Sequence, residues 1–133
     1  MKKIVLLLMS VILFSSCIDD DGPKYAYEIL TIDEATVPES FTFGEVYDIT
    51  VKYTLPNSCY SFHSLYYEYQ DTTRVVAINA LVRTDINCTE EAIERDYTFE
   101  VNVTQQEDYI FKFWKGEDAD GENIFEEVVV PVN

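Results

Sequence analysis

Histidine and cysteine are scarce in this sequence: it contains one histidine, His63, and three cysteines, Cys17, Cys59 and Cys88. A metal site needs more ligands than Cys59, Cys88 and His63 together provide. No serine or cysteine lies in a pattern typical of a catalytic nucleophile, and a lone histidine within a strand is more often structural than a catalytic base. The sequence therefore predicts no cofactor, no metal centre and no enzymatic activity.

Basic residues are also few. Nine lysines and arginines stand against 25 aspartates and glutamates, which gives a formal net charge of −16. Such a chain repels the phosphate backbone, so we expect no nucleic acid partner. It repels anionic lipid headgroups as well, so only a lipid anchor, not a charged surface patch, is expected to hold it on a membrane.

Long apolar runs are missing too. The longest run, residues 4–14, has about eleven residues, interrupted only by Ser10, whereas a membrane-spanning helix needs about twenty. It follows Lys2 and Lys3. A short apolar run after a positively charged start is typical of a secretory signal peptide. We therefore expect residues 1–16 to be a signal helix that is removed from the mature protein.

The end of this run resembles the lipobox of bacterial lipoproteins, because Leu13-Phe14-Ser15-Ser16 is followed directly by Cys17. The resemblance implies cleavage before Cys17, lipidation of its side chain and attachment to a membrane through that lipid. The alternative is an ordinary cleaved signal with an incidental cysteine. The following Asp19-Asp20-Asp21 resembles the export signal of surface lipoproteins from the Bacteroidota. That resemblance implies an outer-membrane, surface-exposed location, with a plain acidic spacer and a periplasm-facing domain as the alternative.

The chain is thus divided into three parts: the signal peptide 1–16, a lipidated cysteine with an acidic linker over 17–24, and one domain over 25–133. Removing residues 1–16 from the 133 leaves 117, and the basic residues fall to 7 while all 25 acidic residues stay, so the mature charge is −18. A chain of this length can bury a core of its own.

Aromatic and β-branched residues dominate the domain, and this composition favours strands. The clearest strand, residues 46–55, alternates apolar and polar side chains, which is the pattern of a half-buried strand. The same reasoning predicts seven strands and an all-β, antiparallel sandwich. The first predicted strand lies within residues 25–37, and the others cover residues 46–55, 60–69, 74–83, 95–104, 109–115 and 124–132.

One short segment resembles an immunoglobulin-like domain. Residues 107–111 read Glu-Asp-Tyr-Ile-Phe, and in the penultimate strand of those domains a tyrosine stands two residues before an inward side chain. Here Phe111 takes the place of the cysteine found in antibodies. The resemblance implies an immunoglobulin-like order of the seven strands.

Cys59 and Cys88 are expected to form a disulfide. Export to an oxidising compartment permits one. If strand directions alternate, the turn that contains Cys59 and the connection that contains Cys88 lie at the same end of the domain. Two free buried thiols are the alternative. Thr89 is a plausible N-cap for one helical turn in the same connection.

The strand over residues 60–69, YSFHSLYYEY, carries aromatic side chains on both faces. Strict alternation places Phe62 and Tyr66 on one face and Tyr67 on the other. One reading is packing beneath loops, and the other is a surface that binds a glycan or an envelope protein. The candidate ligand face consists of Phe41, Phe43, Tyr66, Tyr67 and Tyr69.

The loop over residues 116–123 is rich in oxygen ligands, with Asp118 and Asp120 as calcium candidates. Its glycine spacing does not match an EF-hand, so a solvated hairpin loop is the simpler interpretation. The alternation of strands places this loop at the end nearest the membrane, and places Asp71 and Asp118 at opposite ends of the domain.

These observations predict a lipid-anchored envelope lipoprotein whose domain is a non-enzymatic binding or structural module. The alternative from another class is a glycan-active enzyme or the carbohydrate-binding accessory of a polysaccharide-utilisation system. The expected partners of the protein are the membrane, through the lipid, and a glycan or an envelope protein.

Overall fold

The computed structural model describes residues 22–133, and its regular structure is entirely β. It has eight strands rather than the seven expected. The strands are β1 (Tyr25–Leu30), β2 (Glu34–Thr36), β3 (Val46–Leu55), β4 (Tyr60–Gln70), β5 (Thr73–Arg83), β6 (Ile93–Asn102), β7 (Tyr109–Glu117) and β8 (Asn123–Val130).

Two sheets form a β-sandwich. The larger sheet is built around β5, which pairs with β4 along one edge. The other edge of β5 is shared: β7 pairs with its first residues and β1 with its last six. Strand β8 follows β7 and completes five strands, while β2, β3 and β6 form the smaller sheet.

The extra strand arises because residues 25–37, which were expected to contain one strand, cross between the sheets and form two. Ile32 N donates to Trp114 O at 3.0 Å, in the larger sheet, and Asp33 N donates to Lys52 O at 2.7 Å, in the smaller one. Neighbouring residues thus hydrogen-bond to different sheets. Apolar residues stand on both sides of Asp33-Glu34, so the sequence pattern alone does not show that the two halves join different sheets.

The expected fully antiparallel order is wrong at one place. Strands β5 and β7 pair in parallel, from Thr73↔Ile110 to Val76↔Phe113. In an immunoglobulin constant domain the third, sixth and seventh strands form one antiparallel sheet. In the immunoglobulin order, the first strand of the β4–β5 hairpin would pair with β7. Here the second strand, β5, does so, and it therefore lies between β4 and β7.

Tyr109 bonds to the backbone that precedes its own strand. Its hydroxyl accepts a hydrogen bond from Thr104 N at 3.0 Å and donates to Asn102 O at 3.4 Å. A tyrosine at the start of the penultimate strand that bonds back to the preceding backbone is the tyrosine corner of immunoglobulin-like domains. The motif therefore occurs here in a sandwich with a different strand order.

The core lies between the sheets. Alternate residues of each strand point inward, and the largest fully buried side chains include Phe41, Tyr109, Phe111, Phe113 and Ile49. Rings supply much of this core: Phe111 stacks on Tyr109 and Phe113 with centroids 5.9 and 6.0 Å apart. Such pairs contribute beyond their buried area.

The expected disulfide is confirmed, since Cys59 and Cys88 are bonded with their Cα atoms 5.4 Å apart. Ser58 N also donates to Thr89 O, and Thr89 N donates to Ser58 Oγ, at 3.1 and 2.8 Å. These bonds tie the β3–β4 turn to the β5–β6 connection. Thr89 therefore caps no helix within the described residues, because its backbone bonds to the neighbouring turn.

The placement of the loops at the two ends agrees with expectation. Ile110 N donates to Thr72 O at 3.2 Å, so β7 begins beside the β4–β5 turn that contains Asp71. It then runs away from that turn to Glu117, which puts Asp118 at the opposite end. The expected signal helix, Cys17 and the aspartates 19–21 lie outside the described residues. Within residues 22–133, no helix is long and apolar enough to cross a membrane.

Candidate ligand groove on the outer face of the larger sheet

The outer face of the larger sheet, which points away from the smaller one, carries a groove of about 570 Å³. Its floor is formed by Val75 and Ala77 of the central strand β5. Only 6% and 2% of these side chains is exposed, although no second sheet covers them. They are shielded because taller side chains on the neighbouring strands rise on both sides.

Aromatic rings form the walls of this outer groove. Tyr66 of β4 pairs directly with Ala77, and Trp114 of β7 pairs directly with Phe125 of β8. Trp114 follows Phe113, the partner of Val76, so it lies beside Ala77 from the other side. Across the sheet, the order is therefore one aromatic ring, then the small Ala77, then two further aromatic rings. Small residues between large ones are what produce a groove on an otherwise flat sheet.

A row of charges lies next to the row of rings. Glu68 pairs with Val75, Val75 with Lys112, and Lys112 with Glu127. Lys112 Nζ lies 3.6 Å from Glu127 Oε1 and 5.8 Å from the centroid of the Phe125 ring. The basic side chain of the outer groove is thus already matched with a carboxylate and an aromatic ring.

Hydrogen bonds fix the orientation of the groove side chains. Tyr66 Oη donates to Glu68 Oε2 at 2.5 Å, and Trp114 Nε1 donates to Asn123 Oδ1 at 3.0 Å. The bond from Tyr66 lowers the pKa of Glu68 and raises the pKa of Tyr66. Glu68 therefore stays an anionic acceptor at neutral pH, and the two rings are held before any ligand arrives.

A family model describing the ORF11 beta-sandwich domain matches residues 49–126, more than half of the chain. The chain belongs to this family. The matched residues include Tyr66, Trp114 and Phe125, so the walls of the outer groove lie inside the family domain. No curated protein and no solved structure matches the chain.

In this ORF11 beta-sandwich domain, a β-bulge lies in β4 between Phe62 and Tyr66. The register shifts between Phe62 and Ser64, so His63 is the additional residue. The bulge corrects the expected faces: Phe62 joins Tyr67 on the inner face, where it stacks on Tyr97 at 4.8 Å. Only Tyr66 of the candidate tyrosines lines the outer groove.

The other candidates of the predicted ligand face lie elsewhere. Phe41 is fully buried, 5.1 Å from the Tyr109 ring centroid, so it offers no surface. Tyr67 is partly buried: it packs against the core and lines a smaller cavity together with Tyr69. Phe43 is 49% exposed in the loop before β3, and Tyr69 is 69% exposed. The predicted face is therefore not one surface, and the sequence reasoning missed Trp114 and Phe125. The alternation of β7, with Phe111 and Phe113 inward, carried the signal for Trp114.

A second cavity of about 200 Å³ lies around Arg74, whose side chain is almost completely buried. Its guanidinium donates to the carbonyls of Asp71 and Thr73 and to Gln105 Oε1 at 2.8 to 3.0 Å. The guanidinium carbon also lies 4.2 Å from the Tyr69 ring centroid. Neutral acceptors and a ring thus compensate this buried charge, and Arg74 ties the end of the sandwich together.

The calcium candidates of the acidic loop serve the loop itself. Asp118 Oδ1 accepts hydrogen bonds from Asp120 N and Glu122 N at 2.9 and 3.0 Å. These bonds, with Gly121 at φ +79°, form a hairpin turn. Within residues 22–133, no three His, Cys, Asp or Glu side chains are grouped so that they could hold a metal.

Proposed function

We propose that this protein is a lipid-anchored envelope lipoprotein whose sandwich is a non-enzymatic binding module for an extended glycan. The observation that carries the proposal is the row of Tyr66, Trp114 and Phe125 beside the small floor of β5. Sugar rings present apolar C–H faces that pack on aromatic rings, and hydroxyl groups that bond to side chains such as Glu68 and Asn123.

The strand pairing favours a glycan over an extended peptide as the occupant of the outer groove. A peptide that binds a sheet gains much of its affinity from main-chain hydrogen bonds to an unpaired edge. The floor strand β5 is paired on both sides, and β7 lies between β5 and β8. Only side chains are offered in the groove, and recognition through rings and polar side chains suits a carbohydrate.

The chemistry of the groove supports binding over glycoside hydrolysis. A glycosidase needs one carboxylic acid whose pKa is raised, so that it can protonate the leaving oxygen. The pKa of Glu68 is lowered, because Tyr66 donates a hydrogen bond to it. Glu68 is therefore suited to accept hydrogen bonds and not to act as a general acid.

The membrane attachment rests on the lipobox resemblance at Cys17. Residues 17–24 are too few to carry the domain far, since eight extended residues span at most about 29 Å. We expect the acidic loop that begins at Asp118 to lie on the membrane side, where it would hold the domain off anionic lipid.

Substituting Cys17 tests the anchor. In Cys17→Ala, lipidation is impossible, so the precursor should stay uncleaved or the protein should leave the membrane fraction. Cell fractionation and mass spectrometry of the mature N-terminus measure this. An intact, unlipidated N-terminus in the mature wild-type protein would contradict the proposal.

An oligosaccharide array with the detergent-solubilised full chain tests the binding function. For any oligosaccharide bound, Trp114→Ala should weaken binding at least about tenfold, which corresponds to about 1.4 kcal/mol. The matched control is Phe43→Ala, which removes an exposed ring outside the outer groove. Binding that is lost in Phe43→Ala and retained in Trp114→Ala would place the site elsewhere.

A further inference from the structure

The charges of the outer groove specify the class of glycan further. We infer, on the basis of the proposed function, that the groove prefers glycans that carry free amino groups, protonated to ammonium, over neutral or acidic glycans. The preferred repeating unit is thus an amino sugar without an N-acetyl group.

The carboxylates that face the outer groove are not balanced by basic groups. Glu68 on β4 and Glu117 at the end of β7 line the groove, and neither forms a salt bridge with any described residue. The one basic side chain of the lining, Lys112, is paired with Glu127. Glu28 lines the groove too, but its carboxylate accepts from Tyr60 Oη, whose ring packs toward the core.

Lys112 shows how an ammonium fits on this surface. Its Nζ lies 3.6 Å from the Glu127 carboxylate and 5.8 Å from the Phe125 ring centroid. A cation between a carboxylate and an aromatic face gains from both partners. Across the groove, the hydrogen bond from Tyr66 Oη to Glu68 Oε2 also brings a ring and a carboxylate together, and no basic side chain of the described residues forms a salt bridge with Glu68. A ligand amine completes this second arrangement.

The charge of the whole protein acts in the same direction. With 7 basic and 25 acidic residues after removal of 1–16, the mature chain attracts cations and repels polyanions. Long-range attraction of this kind weakens as salt shortens the Debye length from about 10 Å at 0.1 M to about 3 Å at 1 M. The position of Glu68 beside Tyr66 should contribute a local preference that bulk charge alone does not.

Two matched oligosaccharides test the inference on the detergent-solubilised full chain. The probes are a β-1,4-linked glucosamine hexamer and its fully N-acetylated counterpart, measured by isothermal titration calorimetry at a pH where the amine is protonated. We expect the amine form to bind at least about tenfold tighter. Glu68→Gln should reduce this preference, measured as the ratio of the two affinities, to about threefold or less.

The controls separate the possible failures. Glu107→Gln removes the same charge from an exposed site outside the groove and should leave the preference intact; an equal loss in both variants would show bulk charge alone and overturn the inference. Equal binding of both hexamers would overturn the amine preference and leave the glycan function standing. The inference would also be overturned if neither hexamer binds. Tighter binding of hexalysine that depends on Glu68 would overturn the inference and contradict the glycan function as well.

Discussion

The two faces of the larger sheet use aromatic residues in opposite ways, and Tyr66 and Tyr67 show this most directly. Tyr67 points inward and contacts Phe99 of the smaller sheet, with ring centroids 5.6 Å apart. Tyr66 points outward into the groove and bonds to Glu68. The inner rings have partners from a second sheet, while the outer rings have none. Aromatic content alone therefore does not distinguish core from site; what covers the ring does.

Charge separates the two faces as well. The inner side holds one buried charged residue, Arg74, which is satisfied by backbone carbonyls, Gln105 and two tyrosine rings. The outer side carries Glu68 and the Lys112–Glu127 pair beside its rings. A polar, preorganised environment around exposed rings is what a ligand site requires, and a neutralised environment is what a core requires.

The largest expected effect comes from comparing one alanine substitution on the inner face with one on the outer face. Phe111→Ala removes a fully buried ring of the inner face and should lower the free energy of unfolding by about 3–5 kcal/mol. Trp114→Ala removes an outward ring of the same strand. It should lower the free energy of unfolding by less than half as much as Phe111→Ala, because the Trp114 ring is only partly buried. Urea unfolding measures both. Equal losses would show that the outer rings belong to a core.

The disulfide provides the second largest effect and sharpens the same comparison. Replacing Cys59 and Cys88 together with alanine opens a link across 29 residues. The loss should be about 3–4 kcal/mol in the chain-entropy model. Below the lowered melting temperature, ligand affinity of the outer groove should stay within about twofold, because neither cysteine lines the groove. A loss of affinity with the fold intact would show that the groove depends on that end of the sandwich.

Much of the fold could be predicted from local pattern. The alternation in 46–55 and the aromatic run in 60–69 gave strands that the structure confirms, and alternating directions brought Cys59 and Cys88 together. The crossing at Ile32 and Asp33 and the parallel pairing of β5 with β7 could not be predicted, because both depend on which distant strand the backbone bonds to. Side-chain pattern carries no information on that choice.

The candidate site was harder to predict than the fold, for a physical reason. Strict alternation along β4 failed at His63, because one inserted residue moves the following side chains to the other face. Phe41 stands in a loop, yet a bridge to Val132 and hydrogen bonds to Pro131 and Asn133 hold it in the core. The groove itself arises from the small side chain of Ala77 between taller neighbours on two other strands. That arrangement exists only once the register is known.

The smallest expected effect compares the two neighbouring tyrosines at high pH. Burial raises the pKa of Tyr67 to about 12, with Arg74 opposing the shift, whereas an unfolded tyrosine titrates near 10. Because the unfolded chain releases this proton first, the stability that Tyr67 provides is complete below about pH 10 and is lost as pH rises toward 12. Tyr67→Phe keeps the ring and removes the titrating group, so urea unfolding from pH 9 to 12 should give a shallower decline in stability than in the wild type.

Tyr66→Phe should instead affect the groove, weakening the amine preference because the hydrogen bond that orients Glu68 is gone. An unchanged decline in Tyr67→Phe, or an amine preference that falls in Tyr67→Phe and not in Tyr66→Phe, would contradict the assignment of these residues to opposite faces.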